Sequence, residues 1–467
     1  MTIVSKNEAL LFLHADFLSK DQQNGGESME VEKVENQETD LMIGIDQKLP
    51  PMQTFFYGVQ HVFVSNVWLD PIFVAAMVGM PLTLATNIVN AIFIATGLVT
   101  LVQATKLVRL PIVQGPSAAF DSLMISTGKT GGLAAAGGGI LLSAIIIFLL
   151  SITGLIGKLR ALFTPVISGT VILVVGVALS GFTLYEFLGG SAGTPTFATG
   201  TTLAMSIPTA LIVIFLSIFG KKKWRSFAFL IALIVGDMIA TLLGQTHFSQ
   251  VTQKAWLGLP HVFPYGHLVF HWDTFIMFFV AYIVAVIEAM GVYQAGAEMT
   301  KVDLDAKRIR YGFAGESVGS MISTVIGGFP TTAYGQNVGL LRLTGVGSRY
   351  PVMVAGVLFL ILGLVPKAGA LLALTPDPVV GGIFLPAAAS LIFTGISILM
   401  KMEKNDVNFT IAGMAILLAI ALPASFSGVK GVVGTFLSNQ VLVGTASALL
   451  LQFILSTIPS WFRKKAK

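Results

Sequence analysis

Seven carboxylates and a histidine lie in stretches where an apolar chain has least use for them. Glu288 stands in AYIVAVIEAMGVYQAG, with no other charged residue between Asp273 and Glu298. Asp70, Asp121, Asp237, Glu298, Glu316 and Asp377 complete the carboxylates, and Gln60 and His61 form a polar pair inside an otherwise apolar run. A charge at the centre of a bilayer costs at least about 2.5–3.5 kcal/mol on insertion scales, so each of these groups needs a reason. Glu288 is the deepest. It suits a ligand acceptor or a proton site, and the structural alternative is a protonated or paired carboxyl between helices. Asp237, in IVGDMIATLL, reads as helix packing. Asp70 before Pro71 and Asp377 after Pro376 read as helix caps. Asp121 either supports a short helix or faces water, Glu316 either caps its helix or reaches inward, and Glu298 sits beside Lys301 at a solvated end. His61 reads first as a bond to a neighbouring helix.

A second polar feature lies at the same depth. GGFPTTAYGQNVGLLRLTG, Gly327 to Gly345, sits between two long apolar runs and holds a proline, five glycines and the pair Gln336–Asn337. Pro330 cannot continue a helix, and TTAY suits an extended strand. A helix can restart near Gly335 with its free N–H groups and positive dipole end turned inward. RLPIVQGPSAAF, Arg109 to Phe120, has the same order of proline, extended residues, glycine and short helix. Irregular backbone at membrane depth is tolerated only where it is buried in protein or lines a cavity. Paired interrupted segments in two halves of a chain point to a transporter's binding site. The two stretches are expected to cross at mid-membrane as paired strands, leaving N–H groups aimed at a ligand.

The elements that must position these groups are membrane helices. The chain has 467 residues, 54% hydrophobic and 11% charged, against roughly 25% charged in soluble domains. It has no cysteine, which excludes disulfides, thiolate metal sites and cysteine nucleophiles. GKT at Gly128–Thr130 lacks the upstream glycine of a phosphate loop, since Leu123 stands there. HExxH is absent, and the two G-x-S-x-G matches, GGSAG and GESVG, lack the strand–turn–helix that a nucleophile elbow needs. Apolar spans of about 20 residues begin near Phe56, Leu82, Leu110, Leu133, Phe163, Thr201, Ser226, Phe275, Phe313, Thr331, Tyr350, Asp377, Val407 and Val433. With the N-terminus inside and every segment crossing, only Lys129, Lys254, Lys367 and Lys430 of the loop and C-terminal basic residues fall outside. That is a strong positive-inside bias, and it accounts for the net charge of +5 without nucleic acid.

Fourteen spans divide into two sevens, and an odd number inverts the second half. TPVISGTVILVVG in span five echoes PDPVVGGIFL in span twelve, as the broken spans three and ten echo each other. The expected fold is an all-α polytopic membrane protein of fourteen segments in a seven-plus-seven inverted repeat, with short strands in segments three and ten. Residues 1–50 are expected to be a polar, mostly disordered cytoplasmic tail with a short amphipathic helix near NEALLFLHADFL. Residues 51–460 are read as the transporter domain and 461–467 as a basic cytoplasmic tail.

GQNVGLLRLTG resembles the signature of the nucleobase–cation symporter-2 family, the nucleobase–ascorbate transporters, through Gln336, Asn337, Gly339, Thr344 and Gly345. YGVQHVF, IEAMG and FPTTAYGQN are similar to further motifs of that family, and the likeness runs from about residue 52 to 460. The resemblance implies a core of spans one to four and eight to eleven (about 52–160 and 275–366) and a gate of spans five to seven and twelve to fourteen (about 161–245 and 376–460). It implies substrate contacts from Glu288, Gln336, Gly335, Tyr334 and the backbone near Ala118, where relatives often carry Phe, with Phe120 taking over stacking. Gln60, His61, Asn337 and Glu316, the last a departure from the family's Asp or Asn, would serve proton coupling or support.

The implied activity is secondary active import of a nucleobase by proton symport. The Gln-Asn pair and the Thr-Gly ending favour xanthine or urate, and the lack of a guanidinium near the site favours xanthine. H⁺ is expected over Na⁺, as are a homodimer in the plasma membrane and both termini in the cytoplasm. No enzyme activity, cofactor, metal site or nucleic-acid partner is implied. A uracil permease of the same family, a sulfate-type anion transporter and a passive solute channel are the alternative readings.

Overall fold

Proline, glycine and asparagine decide where this chain stops being a plain membrane helix. The computed structural model describes residues 41–158, 164–246, 249–426, 428–429 and 432–459. The expectations for residues 1–40 and for 461–467 lie outside these. Among the described residues nine helices are long and apolar enough to cross a membrane. They are span one (Pro51–Val78), two (Leu82–Thr105), four (Leu133–Ile152), five (Pro165–Leu188), six (Gly200–Phe219), eight (Trp272–Met299), twelve (Asp377–Leu399), thirteen (Asp406–Ser425) and fourteen (Gln440–Thr457).

The other five segments fall short for separate physical reasons. Span seven, Ala228–Leu242, is only 15 residues long. Span nine, Ala306–Val325, has the length but opens on AKRIR and carries Glu316 and several Ser and Gly residues. Span eleven, Arg349–Gly363, turns by 83° into Pro366–Ala373, because Pro366 cannot extend a helix from the chain before it. Spans three and ten are each a strand followed by a short helix: β1 (Gln114–Pro116) with Asp121–Lys129, and β2 (Thr331–Ala333) with Gly335–Thr344. Span one is also interrupted, between Ser65 and Leu69, where Asn66 takes a left-handed φ of 53°.

The packing repeats itself under exchange of the two halves. Span two packs on eleven and its counterpart nine on four; span one packs on eleven and its counterpart eight on four. Spans five and twelve, themselves counterparts, lie along each other, and the pairs six–seven and thirteen–fourteen match. This is the seven-plus-seven inverted architecture.

At its centre β1 and β2 pair antiparallel, with Gln114 opposite Ala333, Gly115 opposite Thr332 and Pro116 opposite Thr331. Ser117 N donates to Pro330 O at 3.1 Å and Tyr334 N to Val113 O at 2.9 Å, which extends the ladder at both ends. A two-stranded ladder leaves outer edges that hydrocarbon cannot satisfy. Here Gln114 N donates to Thr100 Oγ1 of span two and Thr331 N to Ser320 Oγ of span nine, both at 2.9 Å. Spans two and nine are counterparts, so the two halves close the two edges in the same way.

The ten residues before span one, counted with the polar tail in the sequence, are held to the transporter domain. Ile43 N donates to Gly345 O at 3.2 Å and Gly347 N to Ile43 O at 2.9 Å. Asp46 pairs with Arg349 at 2.6 Å and with Arg109 at 3.4 Å.

A carboxylate and two helix starts around the strand crossing

Span eight turns one stripe toward the crossing. Ala285 O accepts from Thr332 Oγ1 of β2 at 3.3 Å. Three residues on, Glu288 Oε2 accepts from Ser117 Oγ, just past β1, at 3.3 Å. Four residues further, Val292 lies 3.6 Å from where a Cβ on Gly335 would stand. The spacing i, i+3, i+7 keeps all three on one helical face. It brings Glu288 between the end of β1 and the start of the Gly335–Thr344 helix, whose first N–H groups have no partner within the helix.

Accessibility divides the residues the sequence pointed to. Gly335 and Gln336 are exposed, and Glu288 and Ala118 are half-buried. Phe120 is fully buried, stacked on Phe278 at 6.1 Å between ring centres and edge-on to Tyr282 at 5.7 Å. Its ring therefore braces the short helix of span three against span eight rather than offering a face. Tyr334 is buried and its hydroxyl donates to Asp70 Oδ2 at 2.9 Å. Asp70 is thus a partner of span ten and not a helix cap.

His61 and Asn337 are buried and bonded to each other, with Asn337 Nδ2 3.0 Å from His61 Nδ1. Gln60 points elsewhere: its Nε2 donates to Ser226 Oγ, just before span seven, at 3.0 Å. Glu316 lies in the middle of span nine, which starts at Ala306 behind the cap Asp305. The inward alternative applies, since Glu316 accepts from the Tyr293 hydroxyl of span eight. Gln114 of β1 joins the same group, 3.2 Å from the Tyr293 hydroxyl; with its amide turned over it also donates to Glu316 at 2.9 Å. Asp237 accepts from Thr375 Oγ1 at 3.2 Å, a link between spans seven and twelve.

Sequence reasoning passed over Ser117, Gln114 and Tyr293. Ser117 had a signal, as a hydroxyl directly before a short helix after a proline. Tyr293 had none beyond its place five residues after Glu288.

As a chemical surface the crossing offers the half-buried Glu288 carboxyl, the Ser117 hydroxyl and backbone N–H groups at two short helices, with the exposed Gln336 amide in the first turn of the second. That set matches a flat polar ring edged with alternating donors and acceptors.

Comparison with known proteins adds a family and a fold. The Permease family matches residues 52–428. The putative purine permease CPE0397 of Clostridium perfringens is 28% identical over 441 residues, 92% of this chain and 97% of that protein. The uric acid permease PucK of Bacillus subtilis is 29% identical over 87% of this chain and 96% of its own length. The xanthine permease of the same organism is 27% identical over 86% and 93%. Among solved structures, the transmembrane domain of a cyanobacterial bicarbonate transporter, BicA, superposes with a TM-score of 0.59 at 15% identity, covering 88% of this chain and 99% of that one. The murine anion transporter Slc26a9 superposes with a TM-score of 0.62 at 11% identity, covering 88% and 69%.

Proposed function

The chain belongs to the nucleobase–ascorbate transporter family, the xanthine and uracil permeases, and from that premise we propose that it imports a purine base, xanthine ahead of urate, by proton symport. The relatives support the substrate class through their names: purine, uric acid and xanthine permeases. The observation that carries the reading is the convergence of Ser117, Glu288 and Gly335 at the paired strands.

In this reading protonated Glu288 donates its O–H to a ring acceptor and accepts a ring N–H at its other oxygen. Gln336 matches an adjacent C=O and N–H pair on the ring edge. Backbone N–H groups near Ala118 and Gly335 donate to ring carbonyls, with the short helices' dipoles behind them. Phe120, His61, Asn337 and Glu316 hold these groups in place. Glu288 binds a proton from outside before the base and releases it inside after the base has left. Spans one to four and eight to eleven, with their bound ligand, move against the gate formed by the other six. The protein works as a homodimer in the plasma membrane with both termini in the cytoplasm.

Anion transport, the activity for which the structurally similar BicA and Slc26a9 are named, fits this site less well. Among the described residues, the charged groups in electrostatic reach of Glu288 and Glu316 are carboxylates, and an inorganic anion needs the opposite sign.

The test is uptake of radiolabelled xanthine by a bacterium lacking its own base permeases, with unlabelled urate, uracil, guanine and sulfate as competitors. Protonophore-sensitive accumulation, blocked by urate but not by uracil and abolished by Glu288→Gln, is the expected result. Proton-driven uptake that survives Glu288→Gln overturns its coupling role. Competition by uracil alone overturns the purine assignment. Uptake without accumulation returns the passive channel.

A further inference from the structure

Glu288 is not the only carboxylate buried beside the strand crossing. Asp70 lies in the first turn of Leu69–Val78, and Asp121 opens Asp121–Lys129. They are 7% and 0% exposed. Asp70 has the Tyr334 hydroxyl as a donor. Asp121 is different: neither of its carboxylate oxygens has a hydrogen-bond partner among the described residues.

Among the described residues, the charges in electrostatic reach of Asp121 are carboxylates. Asp70 from span one and Glu288 from span eight stand in electrostatic reach of it, and Tyr334 from span ten is in reach of all three carboxylates. Span four, packed on the same short helix, carries no titratable side chain. Span five contributes Glu186, which interacts with Lys129 at the far end of that helix. The aromatic cover from span eight is Phe278 with Tyr282, packed on the neighbouring Phe120. Among the described residues no three His, Asp or Glu side chains come together as a metal site.

An ionised carboxylate removed from water without a partner is among the costliest groups a protein can bury, and in practice it neutralises by taking up a proton. The start of its own helix favours the anion. The group therefore has a reason to hold a proton while buried and a reason to give it up once water reaches it.

We propose that Asp121 is a second proton-carrying group of the transport cycle, protonated while buried as it is here and discharged to water when the core moves against the gate. The inference rests on the proton-coupled reading above and adds to it a site apart from Glu288. The O–H bond formed on Asp121 in one state breaks in the other, and the proton goes to solvent on the opposite side.

Asp121→Asn keeps the side chain's shape and removes the proton. In the variant, exchange of labelled base at equal concentrations is expected to persist. Protonophore-sensitive accumulation is expected to fall about tenfold or more, the size of an ordinary coupling free energy, and Asp121→Glu to restore part of it. Accumulation by Asp121→Asn at the wild-type level and with the wild-type proton-to-base ratio overturns the proposal. Failure of the wild-type chain to accumulate any base is a failure of the proposed function instead. Infrared difference spectroscopy of the purified protein then decides about Asp121. A protonated-carboxyl band that titrates in the wild type and is missing in Asp121→Asn supports the assignment, and unchanged bands overturn it. If Asp121→Asn does not fold, the band must survive in Asp70→Asn/Glu288→Gln, and its loss there overturns the assignment.

Discussion

Asn337 and His61, 276 residues apart, meet through one amide: Asn337 Nδ2 is 3.0 Å from His61 Nδ1 and 3.2 Å from the His61 carbonyl oxygen. The bond joins the short helix of span ten to the first half of span one, so it ties the repeat-related halves next to the strand crossing. An amide N–H donating to Nδ1 fixes the imidazole with its proton on Nε2. Asn337→Asp replaces that donor with an acceptor facing two acceptors. It is expected to abolish uptake and lower the melting temperature of the purified protein. Asn337→Ala leaves the buried His61 nitrogen unpaired, which costs about 1–3 kcal/mol, and is expected to lose less than Asn337→Asp. If Asn337→Asp melts and transports as the wild type, the bond has no role.

Tyr293 and Glu316 give a second contrast. The Tyr293 hydroxyl donates to Glu316 and lies 3.2 Å from Gln114 of β1, so one phenol connects spans eight and nine to the strand pair. Tyr293→Phe preserves the buried ring and deletes both bonds. Glu316→Gln keeps a group that accepts from Tyr293, whereas Glu316→Ala keeps none. The expected order of melting temperatures is wild type, then Glu316→Gln, then Tyr293→Phe and Glu316→Ala together. Each loss in the last pair is about 1–3 kcal/mol from an unsatisfied buried group. A Glu316→Ala protein as stable as Glu316→Gln removes the hydrogen-bonding role.

The sequence made the strand crossing readable because Pro330 and the Gly335–Gln336 pair break a helix where hydropathy demands one, and Pro111 to Phe120 break it in the other half. It did not show what closes the edges of that crossing. Thr100 and Ser320 are single hydroxyls among many, and only the packing of spans two and nine aims them at Gln114 N and Thr331 N. The break in span one was hidden for a related reason. Asn66 tolerates a left-handed φ but does not force one, so its bend depends on what packs around it. Glu316 stayed ambiguous because its role follows from where span nine begins. Asp305 and Arg308 set that start about three turns before it, in a stretch too basic to read as membrane.

Gly115 tests how closely the strands must approach. A Cβ there would stand 2.6 Å from Val67 Cγ1 and 2.7 Å from Tyr334 Cε2. Both neighbours are buried, Val67 at 0% and Tyr334 at 8% exposure, so neither has free room. Overpacking of this kind costs about 1–3 kcal/mol. Gly115→Ala is expected to lower both the melting temperature and the uptake rate. Adding Val67→Ala removes one of the two clashes and is expected to restore part of the stability. A Gly115→Ala protein with unchanged stability would mean the strands have slack that these distances deny.

Asp46 makes a pH prediction outside the membrane-spanning part. Its hydrogen bond to Arg349, with Arg109 adding attraction, holds its carboxyl below the ordinary carboxylate range. A depressed carboxylate pKa contributes stability at pH above the unfolded value of about 3.9 and loses it as pH falls through the folded value. The Asp46 side chain is 57% exposed, so solvent screening limits the pair to about 1 kcal/mol or less. Asp46→Asn is therefore expected to melt slightly below the wild type at neutral pH and low salt. The gap should narrow with added salt and close as pH drops below the carboxylate range. The residues around Asp46 also hold Gly345, at the end of span ten's short helix, through Ile43. The same variant is expected to slow uptake more than it lowers stability, and a gap that widens on acidification would contradict the ion pair.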